Sequence, residues 1–193
     1  LGNVFLKDVR FNSTLYKNES ESNVNQFFDR FSSDESTKAK TEIVVASISL
    51  VDASIRIQNQ NISSGNVQRF TALNADIHNF RLDGNVISAD IKQLNAETNW
   101  NDTALTSLVG KYQFSPTSML LENAVVQTKE SVLNMDIRLA YPKDGLKDFA
   151  DKVNLSVGLK PSSIGVSDLK KIIPNWKGKS IKLKGDIDGF IKD

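Results

Sequence analysis

Apolar and polar residues alternate along this chain with the period of β-strands, and one extra step recurs within that alternation. In Leu6-Lys7-Asp8-Val9-Arg10-Phe11 the apolar side chains step by three and then by two. A regular strand presents every second residue to one face and would step by two throughout. The same figure returns over residues 50–55, 77–82, 91–96 and 121–126. The residue before the second apolar position is Asp8, Asp52, Asn79, Gln93 and Asn123 in turn. Asp and Asn tolerate the αR or αL backbone that an inserted residue needs, so these positions are predicted as β-bulges.

Strands are predicted over residues 3–16, 43–58 (one long bent strand or two short ones), 70–82, 85–98, 105–114, 118–128 and 131–141. Another is read through Val153, Leu155, Val157 and Leu159 and closed by Pro161, and a last one carries Ile181, Leu183, Ile187 and Ile191. Asp83-Gly84 is the strongest hairpin signal, since Gly accepts positive φ. Two short helices interrupt the strands. Val24, Phe27, Phe28 and Phe31 lie at i, i+3, i+4 and i+7, giving an amphipathic helix near 22–31 with Ser22 or Asn23 as N-cap. Its place is over an edge or end of the sheet, or against a partner. The other helix spans 167–173, with Ser167 as N-cap and Pro174 as stop. Residues 32–42 read as a polar loop. Connections between strands are short and no βαβ crossover is foreseen, so the fold class is mainly β, a curved antiparallel meander. Residues 1–142 form its bulged part and 143–193 a strand–helix–strand unit, in one β-rich segment cut from a longer chain.

Composition narrows the function. Lys plus Arg, 24, nearly equals Asp plus Glu, 23, so there is no basic footprint for nucleic acid. The longest apolar stretch, 43–51, is too short to cross a bilayer and is broken by Ser47 and Ser49. With no cysteine, disulfides, a thiol nucleophile and a cysteine metal site are excluded. His78 is the only histidine, so no His-based triad or multi-His metal site can form, and its place in a bulge figure points it to solvent. Gly178-Lys179-Ser180 resembles the end of a phosphate loop, but Ile173 stands where the upstream glycine is needed. Asp186-Ile187-Asp188-Gly189 starts like a calcium loop and lacks the later acidic ligands. Asn12, Asn18, Asn61, Asn101 and Asn154 fit the N-glycosylation pattern, common in Asn- and Ser-rich chains. No catalytic constellation emerges, and no cofactor is called for.

The strongest remaining signal is one-sidedness: nearly every strand has one apolar and one polar face. A closed sandwich would explain this by packing two such faces together. Aromatic residues are only 8% of the chain and cluster near 24–31, leaving few large plugs for such an interior. The strands also follow one another without the long returns of a Greek key. An unclosed meander curved by bulges would instead leave an apolar groove, tenable if acyl chains fill it.

The figure Leu-x-Asn/Asp-Val-x-Leu, the segment Leu120-Leu121-Glu122-Asn123-Ala124-Val125-Val126-Gln127-Thr128-Lys129-Glu130-Ser131-Val132-Leu133, and the unit 153–191 with Asp168-Leu169 and Pro174 resemble TamB/AsmA-like proteins. The likeness is closest to the large TamB homologues of Bacteroidota. It implies a β-groove, or "taco", spanning the periplasm and anchored in the inner membrane by an N-terminal helix outside this segment. It also implies a role in moving phospholipid to the outer membrane and in outer-membrane protein assembly, with an assembly barrel as a partner of other parts of the protein. No catalytic residue is implied. The expected lining is Ile48, Leu50, Ile55, Ile77, Ile91, Leu94, Leu121, Leu133, Met135, Ile137, Leu155, Val157, Ile181 and Ile187. These would hold phospholipid acyl chains, with no nucleic-acid partner and no metal. The alternative is a closed sandwich serving adhesion or protein binding in a large surface protein.

Overall fold

The computed structural model describes residues 2–24, 26, 42–62, 67–99, 104–143, 145 and 149–190. Eleven strands dominate: β1 (Asn3–Lys7), β2 (Arg10–Leu15), β3 (Glu42–Asn59), β4 (Val67–Asp83), β5 (Val86–Thr98), β6 (Ala104–Leu105), β7 (Ser107–Ser115), β8 (Ser118–Gln127), β9 (Val132–Ala140), β10 (Asn154–Ile164) and β11 (Ile181–Phe190). A helical turn at Phe149–Lys152 and one helix, α1 (Val166–Ile172), complete the described elements.

All eleven strands belong to one open sheet in the order β1-β3-β4-β5-β7-β8-β9-β10-β11, with β2 beside β3 and β6 beside β5. No second sheet covers it among the described residues, so the closed sandwich is not what these strands build. From β3 onward each strand pairs antiparallel with its neighbour, as the short connections require. Gly84, at φ 59, begins the two-residue turn between β4 and β5. β10 and β11 extend the same sheet from β9.

The bulges fall where the sequence figure puts them. Asp8, Asp52, Asn79 and Asn123 all have positive φ, between 51 and 56. β3 and β4 pair Leu50 with Ala75 and Ile55 with Phe70, while Ala53 stands opposite Leu73 between them. The extra residue Asp52 is therefore offset by an extra residue in β4, Ala72, itself at φ 47. In β8 the register slips between Leu121 and Ala124, around Asn123. The fifth figure also carries a slip, but the inserted residue is Lys92: Asp76 faces Gln93 and Ile77 faces Ile91. Gln93 itself is not among the positive-φ residues.

Three expectations are corrected, and two readings, most of the helix near 22–31 and Ile191 of the last strand, lie outside the described residues. The first strand is two: the chain breaks at Asp8, and β1 and β2 run parallel to β3, not antiparallel. Parallel pairing needs a connection of a dozen or more residues, and the stretch from 16 to 41 supplies one. Pro161 does not close its strand; β10 runs on to Ile164 because the register slips between Leu159 and Ser162, and a bulge tolerates a residue without an N–H. Ser167 is not the N-cap of α1. Gly165 is, without a side-chain cap of its own.

Glu130 takes over the capping. Its carboxylate accepts the Ser167 N–H at 3.0 Å and the Ser167 hydroxyl at 2.7 Å. The hydroxyls of Thr128 and Ser131 both donate to Asp168 Oδ2, and Ser131 Oγ accepts the Gly165 N–H at 3.0 Å. The β8–β9 turn is thus locked to the start of α1, in which Leu169 is buried.

Candidate functional site: the apolar sheet face

Residues directly opposite in neighbouring strands share a face, so the register shows which side chains stand in a row. One row crosses six strands: Ala89, Tyr112, Leu121, Ile137, Val157 and Ile187. A second joins Val4, Ile48, Ile77 and Ile91, and a third Phe11, Ile55 and Phe70. Leu6, Leu50, Ala75 and Leu94 form a fourth, and Ala124, Met135 and Leu159 a fifth. Leu155 faces Leu139, Leu133 faces Val126, and Ile181 faces Ile164. Once the bulges are counted, all fourteen expected lining residues stand on the same side. Each bulge is what keeps the apolar residues on that side when the sequence steps by three.

These residues are half-buried rather than enclosed. Met135 alone of the fourteen is buried, twelve are intermediate, and Ile187 on the edge strand β11 is 57% exposed. The enclosed part is small and built of short side chains: Ala53, Leu73, Ala75 and Ala96 form one cluster, with Leu50, Ile55, Phe70, Ile77 and Leu94 packed around it. A sandwich core would cover such Leu and Ile residues nearly completely. Towards β1 and β2 the face is still more open, with Leu6, Val9 and Phe11 exposed. Sequence reading misses Tyr112 and Phe70 as members of this face; Leu73 and Leu139 alternate with Ile77 and Ile137 in the sequence but are not among the expected lining. Register finds them, and for Tyr112 and Phe70 the lone aromatic in a polar neighbourhood gave little periodic signal. Burial among these apolar neighbours pushes the Tyr112 hydroxyl pKa up.

The other face is polar and its bulges are tied by side chains. Asn123 N–H donates to Asp136 Oδ1 at 2.6 Å, and Asp52 N–H to Asn74 Oδ1 at 3.1 Å. Lys160 Nζ lies 2.9 Å from Asp136 Oδ2 and 3.2 Å from Asn123 Oδ1. The Asn123 N–H first, then Lys160, hold the Asp136 carboxyl below the usual range. Asn79 Nδ2 donates to Asp90 Oδ2 at 2.8 Å and lowers that carboxyl in the same way. A shallow depression of about 260 Å³ lies here, bordered by Asn79, Ser88, Ala89, Asp90, Lys111, Tyr112, Gln113 and Glu122. His78 is on this face, half exposed and 3.1 Å from Asp76, as its sequence position suggested. Among the described residues no three His, Cys, Asp or Glu gather as a metal site. Gly178 is folded under Trp176 rather than held open for phosphate.

Comparison with known proteins adds no relative: no protein-family model matches the chain, and no curated protein or solved structure does.

Proposed function

We propose that the apolar face is an acyl-chain surface, and that the chain is a non-enzymatic segment of a lipid conduit of the TamB/AsmA-like kind. The observation that carries this is the row from Ala89 through Tyr112, Leu121, Ile137 and Val157 to Ile187, apolar across six strands and covered by no second layer among the described residues. Exposed apolar strips of this extent are liabilities unless something apolar occupies them. Each methylene taken from water onto such a surface contributes about 0.8 kcal/mol. Rows of similar Ile, Leu and Val side chains offer many equivalent weak positions, which favours sliding of a chain over tight capture at one point.

On this reading the bulges curve the sheet into a groove, since an inserted residue bends its strand and increases local twist. Headgroups remain at the polar rims while tails lie along the rows. The remainder of the proposal follows the sequence resemblance: a periplasmic location, an inner-membrane anchor in another part of the protein, and an outer-membrane assembly barrel as a partner of other parts. Native mass spectrometry of the purified chain tests the acyl-chain surface. Copurifying phospholipid, released by organic extraction, is the expected result; a lipid-free protein that also takes up none from vesicles contradicts it.

A further inference from the structure

Helix α1 is fixed to the sheet by Leu169, which is buried, and by the Glu130 and Asp168 contacts at its start. Its last turn is left uncovered. Ile172 is 72% exposed and Ile173 47% exposed, an unusual place for two adjacent isoleucines. The chain beyond them is not loose. Ile173 N–H donates to Leu169 O at 2.7 Å and Trp176 N–H to Ile173 O at 2.9 Å. Trp176 Nε1 donates to Lys179 O at 3.0 Å, and a Cβ on Gly178 would come within 2.7 Å of the indole ring. The result is a fixed knuckle presenting Ile172, Ile173 and the partly covered Trp176.

Its charge is as one-sided as its apolar tip. Between Leu169 and Gly185 the chain carries lysines at 170, 171, 177, 179, 182 and 184 and no acidic residue, although the protein as a whole is nearly neutral. Lys171 pairs with Asp168 at 3.7 Å, and the other five are exposed. Lys182 and Lys184 also have a plain structural use, since charge on an edge strand discourages pairing with another chain. That does not account for Lys170, Lys177 and Lys179, nor for Ile172.

Exposed Ile, a Trp and surrounding lysines make up the chemistry of an interfacial segment, in which apolar groups enter the headgroup boundary and lysines meet negative charge. We propose that residues 170–184 are a docking surface for a bilayer that carries anionic phospholipid. It sits where β10 ends and β11 begins, at the margin of the apolar face, and it rests on exposure and charge there rather than on the acyl-chain reading.

The test is cosedimentation of the intact chain with phosphatidylcholine vesicles, with or without phosphatidylglycerol. Binding is expected to the anionic vesicles and to fall with salt. The triple variant Lys170→Gln, Lys177→Gln, Lys179→Gln is expected to lose about a hundredfold in partition, roughly fivefold per lysine. The double variant Ile172→Ser, Ile173→Ser is also expected to bind more weakly, and circular dichroism checks that both variants keep the fold. Equal binding to both vesicles, unaltered binding by the triple variant, or displacement by millimolar soluble glycerol phosphate would overturn the proposal. Copurified lipid is measured separately, so failure of this surface and failure of the groove are seen apart.

Discussion

The backbone N–H of Asn123, freed from the strand ladder by the bulge, is taken up by Asp136 Oδ1 on the next strand at 2.6 Å. Asp52 and Asn74 repeat the arrangement between β3 and β4. An inserted residue would otherwise leave a donor without a partner, and the neighbouring polar face supplies the acceptor. The bulges therefore maintain the apolar side of the sheet at the expense of specific side chains on the polar side.

Position 123 should discriminate sharply between substitutions. Asn123→Gly relieves a φ of 51 and is expected to be neutral or slightly stabilising. Asn123→Val places a β-branched residue there and should cost about 1–2 kcal/mol. The shift in urea midpoint at constant slope measures both. Equal stability of the two variants would mean that the bulge is not built as described.

Gly165 has no room for a side chain. A Cβ there would stand 2.3 Å from Glu130 Cβ and 2.7 Å from Glu130 O. Gly165→Ala should therefore destabilise by about 1–3 kcal/mol, through displacement of the β8–β9 turn. Hydrogen exchange at residues 166–170 is expected to rise. Adding Glu130→Gly removes the nearest side-chain clash but also the cap on Ser167, so only partial recovery is expected.

Acid should weaken the same region. Burial opposes ionisation of Asp168, but the hydroxyls of Ser131 and Thr128, with Lys171, outweigh it and lower its pKa. The Ser167 N–H, then its hydroxyl, lower that of Glu130, and Asn123 and Lys160 that of Asp136. The unfolded chain then binds more protons than the folded one near the ordinary values of 3.8 and 4.5. Stability from these groups is complete above those values and is lost as pH falls through the lower folded-state ones. The urea midpoint should drop as pH is lowered from about 5 to about 3, and Asp136→Asn should make the drop shallower. A midpoint unchanged across that range would contradict the assignment.

Charge on the apolar face should have graded effects. Leu73 is 5% exposed within the small alanine-rich cluster, so Leu73→Asp is expected to prevent folding. Ile137 is half-buried in the open row, and Ile137→Asp should fold with a loss of about 1–3 kcal/mol while copurified lipid falls. Thermal unfolding and lipid extraction on the two variants separate these effects.

Much of this architecture was legible in the sequence because Asp or Asn interrupts an apolar alternation at Asp8, Asp52, Asn79 and Asn123, and local backbone preference decided all four. Ala72 was not legible as a bulge; it compensates for Asp52 on a neighbouring strand, and nothing in its own segment marks it. The parallel pairing of β1 and β2 is not legible in the sequence, because a helix-and-loop pattern over 16–41 carries no sign that the stretch serves as a crossover. Pro161 misled for the opposite reason, its usual meaning as a strand end being overridden by the register slip beside it. The cap on α1 comes from Glu130, 37 residues before Ser167, beyond any local pattern. The lining residues were identified from alternation alone, while their assembly into rows depended on pairing that alternation does not specify.

The most direct measurement places a photocrosslinking amino acid at Ile137 and, in a second variant, at the adjacent Arg138, and irradiates each protein with phospholipid vesicles. Ile137 stands in the six-strand row, and Arg138 points to the polar face opposite Leu120 and Ser156. Phospholipid adducts at position 137 and none at 138 are the expected result. Equal labelling at both positions, or none at 137, would contradict an acyl-chain surface on this face of the sheet.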